Sequence, residues 1–137
     1  MKRANAIPAG IEAYPLAKVP TRQNPRTNRD YIISLKKTQS FALLESYPSG
    51  DATIEIRFVP DRLICDEKLM EVYFASLAAQ ACSGLEELAN AVADDFSNEL
   101  IPRWISVDIS LSVNGLFLGA HVEDKQPLWN NPALLQR

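Results

Sequence analysis

The chain has 137 residues, 47% of them hydrophobic, and carries a formal net charge of −3. That length supports one domain with a substantial core, and no run reaches the ~18 apolar residues of a membrane span. The opening MKRANAIPAG has no apolar stretch behind its charges, which argues against a secretory signal. Cys65 and Cys82 lie in apolar contexts and form no close pair, so the plain reading is a cytoplasmic protein with two buried thiols. Charge is unevenly spread. Residues 1–37 hold eight Lys or Arg against Glu12 and Asp30, a surplus of +6, which leaves −9 for the rest of a chain at −3. An acidic body argues against wrapping a nucleic-acid duplex. The basic segment suits a solvated tail, a phosphate or an acidic neighbouring subunit.

Residues 1–28 contain Pro8, Pro15, Pro20 and Pro25 without periodicity, which predicts an extended or disordered basic arm, with a single domain over 29–137. Tyr31–Lys36 reads as a strand. A long connection over 37–50 ends in the turn signal Pro48-Ser49-Gly50. Asp51–Val59 alternates, with Ala52, Ile54, Ile56 and Phe58 on one face and Thr53, Glu55 and Arg57 on the other. Asp66 is an N-cap for a helix to about Gln80 that is apolar nearly all round, so it must be covered on more than one side. Ser83-Gly84-Leu85-Glu86 matches a capping box and predicts a second helix. Its apolar stripe is Leu85, Leu88, Ala89, Val92, Phe96 and Leu100, and Glu87, Asn90, Asp94 and Asn98 face water. Pro102 lies just past its end. Arg103–Val113 alternates again, Asn114-Gly115 is the favoured type I′ hairpin pair, and Leu116–Val122 returns as the partner strand. The tail from Asp124, with Trp129, is expected to pack as irregular chain.

The order β-β-α-α-β-β predicts an α+β fold: an antiparallel four-stranded sheet with both helices on one face. Its other face would be polar, and its two edges would need management. Closing several copies into a barrel would hide those edges and leave a polar lumen, so a homo-oligomer is expected.

That order is the one found in the T-fold (tunnelling fold). The stretch Asp51-Ala-Thr-Ile-Glu-Ile-Arg-Phe-Val-Pro-Asp61, Asp66-Glu-Lys-Leu69 through Tyr73 and Ser76, the second helix and Trp104-Ile-Ser-Val107 resemble the NADPH-dependent 7-cyano-7-deazaguanine reductases of queuosine biosynthesis. The resemblance spans roughly residues 31–120. It implies an oligomeric barrel, a purine- or pterin-like ring bound between subunits, and NADPH as cofactor.

Four departures bear on that implication. The reductases carry a Cys-Pro pair before the second strand, whose thiolate adds to the nitrile because a thioimide accepts hydride more readily. The aligned position here falls at about Leu43. Their proton-donating Asp falls near Gly50. At the second helix they have a His-Glu pair whose Glu takes the N–H groups of the guanine-like edge, where this chain reads Gly84-Leu85-Glu86-Glu87. Glu87 can take a ring edge in bidentate fashion, and Glu86 can do so or close the capping box. The Arg-rich Gly-Gly turn of the reductases is Ser112-Val113-Asn114-Gly115 here. Lys68 aligns with a family lysine and is the candidate cofactor contact, but Glu71 stands where a second lysine is usual. No catalytic residue is assigned, and the resemblance implies a relative unlike the reductases in chemistry. An active enzyme with another nucleophile, Cys65 or one from a partner chain, and a structural subunit are the alternatives.

Other chemistry finds little support. One histidine, His121, excludes a His₃ zinc site. Cys65, Cys82 and His121 lack any metal-ligand spacing, and His121 reads as a strand residue on the polar side. Cys82 reads as core, and Cys65 as core or as a thiol activated by the helix start at Asp66. No phosphate-loop, dinucleotide or nucleophile-elbow motif is present.

Overall fold

The computed structural model describes residues 18–41, 51–79 and 84–136. Ten-residue strands β5 (Trp104–Val113) and β6 (Leu116–Lys125) join β2 (Ile33–Ser40) and β3 (Asp51–Val59) in one antiparallel sheet of order β2-β3-β5-β6. Helices α1 (Met70–Ala78) and α2 (Leu85–Leu100) cover one of its faces. The β-β-α-α-β-β frame is thus the expected one. Period-two alternation produces it: Ala52, Ile54, Ile56 and Phe58, with Val107 across from Ile56 and Ile109 across from Ile54, form a fully buried floor. Phe96 of α2 seals it, with its ring 6.0 Å from Phe58 and 5.9 Å from Tyr73. Tyr73 keeps its hydroxyl satisfied by donating to Asp95 at 2.7 Å. The β5–β6 turn is type I′, with φ of 51° at Asn114 and 81° at Gly115.

Several details differ from the sequence reading. A short strand β1 (Thr21–Gln23) pairs with β4 (Leu63–Cys65), and Val19 enters the core. These residues fall in the stretch expected to be an arm, which is held to the domain through β1, Val19 and Asn24 while Thr21–Gln23 and residues 25–28 stay exposed; residues 1–17 lie outside the described residues. Strand β2 runs on to Ser40, past the expected Lys36, because its inner-face polar residues find partners on α1. Lys37 pairs with Glu71 at 3.1 Å, and Gln39 donates to the carbonyl of Phe74.

The first helix opens with a 3₁₀ turn, Glu67–Leu69, before α1, and Asp66 caps that turn through the N–H of Lys68. Its apolar character is not covered all round in the single chain: Leu69 and Val72 stay exposed while Met70, Tyr73, Phe74 and Leu77 are buried. Gln80, Cys82 and Ser83 lie outside the described residues. Helix α2 starts at Leu85 with Gly84 as N-cap, so the expected box of Ser83 with Glu86 gives way to a start one residue later. Glu86 then sits at the second helical position, its carboxylate folded back to 3.5 Å from where a Cβ on Gly84 would stand. At the other end Ile101 is the C-cap at φ 46°, a left-handed conformation that costs a β-branched residue energy. Pro102 prevents the helix from continuing.

The C-terminal tail is tied down rather than loose. Asp30 accepts from Arg103, Trp129 and Asn131 at 3.0, 3.0 and 3.1 Å. Gln126 donates to Asp61 and to the carbonyl of Ile101. Residues Pro132–Leu135 form a last helical turn, α3, capped by Asn131. No helix among the described residues is long and apolar enough to cross a membrane.

Candidate functional site

Of the sequence-derived site residues, Glu86 and Glu87 occupy the first turn of α2, where the helix dipole favours carboxylates. Glu86 is exposed and Glu87 half-buried. Lys68 is exposed in the 3₁₀ turn before α1, at the start of a different helical segment. The positions aligned with the reductase nucleophile and proton donor, Leu43 and Gly50, lie outside the described residues.

Cys65 ends β4 and is buried, and burial, reinforced by the nearby Glu67 carboxylate, pushes its thiol up to about 11. Such a thiol is almost wholly protonated at neutral pH, so proximity to a helix start has not activated it. Among the described residues no group of three His, Cys, Asp or Glu is placed to hold a metal ion. His121 faces the polar side of the sheet, as its parity requires, between Asp108 and Glu123.

A groove of about 400 Å³ opens where the β1–β4 pair meets strand β2. Ile33, Leu35 and Ile64 give it an apolar floor, and Tyr31, Arg22 and Glu67 a polar rim. Arg22 and Glu67 are paired at 3.1 Å. The volume is that of a small-ligand cleft. Sequence reasoning missed it, because Arg22 and Glu67 are brought together only by the β1–β4 pairing, and no local pattern connects them.

The polar face of the sheet is ordered in rows by the register. Lys36, Glu55, Asp108 and His121 lie side by side across four strands, and Ser34, Arg57, Ser106 and Glu123 form the next row. Trp104 is buried on this face under the guanidinium of Arg57, 5.7 Å from its ring centroid. Its indole N–H donates to Glu123 at 3.1 Å. Of the sheet's outer strands, β2 carries Lys36 and Lys37, whereas β6 mixes Glu123 and Asp124 with His121 and Lys125.

Cations would hold the phosphates of the reductases' NADPH, and two positions that the resemblance would assign to them carry none here. Glu71, where a second lysine would stand, is a carboxylate already engaged by Lys37. The β5–β6 turn is occupied by Asn114 and Gly115, neither of them charged.

Comparison with known proteins gives the ancestry of this arrangement. No family model matches the chain. It is 28% identical over 125 residues to the NADPH-dependent 7-cyano-7-deazaguanine reductase of Syntrophus aciditrophicus, a match covering 90% of this chain and 89% of that protein. The protein of the same name from Nitrosococcus oceani is 26% identical, over 92% of this chain and 98% of its own length. Among solved structures, the apo form of the archaeosine synthase QueF-Like superimposes with a TM-score of 0.53 at 14% identity, covering 67% of this chain and 91% of that one. That likeness carries the fold alone, the T-fold. The protein of the reductase name from Thermomicrobium roseum is 31% identical over 93 residues, 67% of this chain and 72% of that protein. With a shared fold and identity at that level and coverage, the chain belongs to the family of the NADPH-dependent 7-cyano-7-deazaguanine reductases.

Proposed function

We propose that this protein is a T-fold member that does not reduce a nitrile and instead binds a purine-, deazapurine- or pterin-like ring between subunits of a homo-oligomer. The observation that carries the reading is Cys65. It is the one cysteine among the described residues, and it is buried with a thiol held protonated. Such a thiol is poorly suited to stand in for the reductase nucleophile, whose aligned position here falls at about Leu43. The poor fit of the phosphate-binding positions to NADPH supports the same conclusion. Losing a covalent nucleophile costs orders of magnitude in rate, so reduction is not expected to survive in weakened form.

Ring recognition rests on the first turn of α2. A carboxylate there is positioned to accept two adjacent N–H groups of a guanine-like edge. Either can be the anchor: Glu86 is exposed with its carboxylate turned back toward Gly84, and Glu87 is half-buried. Assembly is supported by the sheet edges. Both outer strands of the sheet are unpaired in the single chain, and pairing β2 of one copy with β6 of the next is a head-to-tail contact, which gives a ring where the rotation closes.

The test is calorimetry of the full chain with 7-cyano-7-deazaguanine, guanine, a pterin and NADPH, beside a turnover assay with the nitrile. The expected result is binding of one ring compound, loss of that binding in Glu86→Ala or Glu87→Ala, and no NADPH oxidation above a no-enzyme control. Nitrile turnover by the pure protein would overturn the reading. Binding lost in Tyr31→Ala but kept in both glutamate variants would move the ring to the groove beside β2. Sedimentation as a monomer at micromolar concentration would remove the assembly.

A further inference from the structure

The polar face of the sheet contains a cluster that the ring site does not use. Both nitrogens of His121 meet carboxylates: Nδ1 stands 2.7 Å from Asp108 Oδ1 on β5, and Nε2 stands 3.1 Å from Glu123 Oε1 on β6. The second oxygen of Glu123 is occupied by the indole N–H of Trp104. Trp104 lies under Arg57 of β3. The side chains thus form a continuous ladder, Arg57, Trp104, Glu123, His121 and Asp108, across three strands.

An ionised carboxylate only accepts hydrogen bonds, so both ring nitrogens must carry hydrogen for both contacts to form. A neutral imidazole, in either tautomer, would point a lone pair at one of the two carboxylates. The surroundings agree. Glu55 lies directly across from Asp108, a like-charge cross-strand pair that is unfavourable unless neutralised. Lys36 flanks Glu55 on one side, and His121 flanks Asp108 on the other. With Arg57 and Glu123 in the next row, the two rows hold three carboxylates and three cations when the imidazole is charged. They are one cation short when it is neutral. Lys125, farther along β6, is turned to the carbonyl of Trp129 and does not substitute. Helix α2 packs on the opposite face, and the outer side of β6 is open.

We propose that His121 is a proton-operated clasp that fastens the edge strand β6 to β5 and opens when its imidazolium loses a proton. Asp108 first and Glu123 second hold the imidazole above its ordinary value, and Trp104 with His121 holds Glu123 below the usual carboxylate range. For a group raised on folding, the contribution is complete below the unfolded value, ~6.5. It disappears as pH rises through the folded value. The clasp is therefore closed near and below pH ~6.5, as long as Asp108 and Glu123 stay ionised, and opens as pH rises through the raised folded value.

The chain has a single histidine, so tag-free protein gives one imidazole signal. A two-bond ¹⁵N–¹H correlation spectrum across pH 5–10 should show both nitrogens protonated at pH 6.5. The midpoint should lie above ~6.5 and fall toward it in Asp108→Asn and in Glu123→Gln. Exchange of the β6 amides that bond β5, corrected for its intrinsic pH dependence, should accelerate through the same midpoint in the wild type. It should do so in neither His121→Gln nor the double carboxamide variant. A midpoint at or below ~6.5 overturns the proposal. So does a raised midpoint with no matching change in exchange, since the proton would then operate nothing.

Discussion

Replacing Asp30 with alanine tests whether the C-terminal tail is structural. The carboxylate joins three partners far apart in sequence: Arg103 at the start of β5, and Trp129 and Asn131 beyond β6. A hydrogen bond to a charged group contributes roughly 1.5–3 kcal/mol, so a simple sum for three is about 4.5–9 kcal/mol. Two observations reduce it. Arg103 keeps Asp61 at 3.3 Å and the carbonyl of Thr27, and the Asp30 side chain is 27% exposed, so water replaces part of what is lost. The expected cost is about 3 kcal/mol, or about 10 °C in melting temperature at this chain length. Burial raises the Asp30 carboxyl, but the bonds from Asn131, Trp129 and Arg103 and the charge of Arg103 outweigh it and hold it below the usual range. For a depressed carboxylate the contribution is present above the unfolded value, ~3.9, and is lost as pH falls through the folded one. The gap between wild type and Asp30→Ala should therefore be full at pH 7 and shrink below pH 4. Urea melts at several pH values measure it, and the Trp129 indole resonance should move toward that of a solvated indole in the variant. A loss under about 1 kcal/mol, or a gap independent of pH, would refute the reasoning.

Phe96→Ala should cost about 3–5 kcal/mol by urea melt, because its fully buried ring contacts both Phe58 and Tyr73 and nothing nearby can collapse into the space. Cys65, in a Cys82→Ala background, should resist iodoacetamide at pH 8 in the folded protein and react readily in urea, as followed by mass spectrometry.

The frame of the fold was legible because its signals are local. Alternation over Asp51–Val59 and Trp104–Val113, the Asn114-Gly115 turn and the stripe Leu85–Leu100 each need only neighbouring residues to be read. What escaped depends on distant contacts. Strand β1 exists because Thr21–Gln23 meets Leu63–Cys65, and β2 extends to Ser40 because Lys37 and Gln39 find partners on α1. Ser106 has the parity of a solvated residue yet is buried, since its row neighbours Arg57 and Glu123 are both longer. His121 was placed correctly on the polar face, but its two carboxylates were invisible. Glu123 is two residues away on the same strand, whereas Asp108 comes opposite only through the hairpin register. At the start of α2, sequence placed Glu86 and Glu87 in the first turn but put the cap one position early, a shift that a glycine beside a serine does little to prevent.

The sheet's connectivity also bears on how the chain reaches this structure. Strands β5 and β6 close on a two-residue turn, and a ribbon of that kind forms in roughly microseconds. The central seam is different, because Val59 meets Trp104 and Thr53 meets Ser110 only after both helices have been laid down between them. Bringing such strands together across about fifty residues of intervening chain is the slow event in domains of this kind. Until it happens, β3 and β5 each present an unpaired edge flanked by isoleucines and valines, the composition most prone to join the wrong partner. In a chain whose sheet by itself leaves two edges unpaired, the interval before the seam closes is when one copy is most exposed to another.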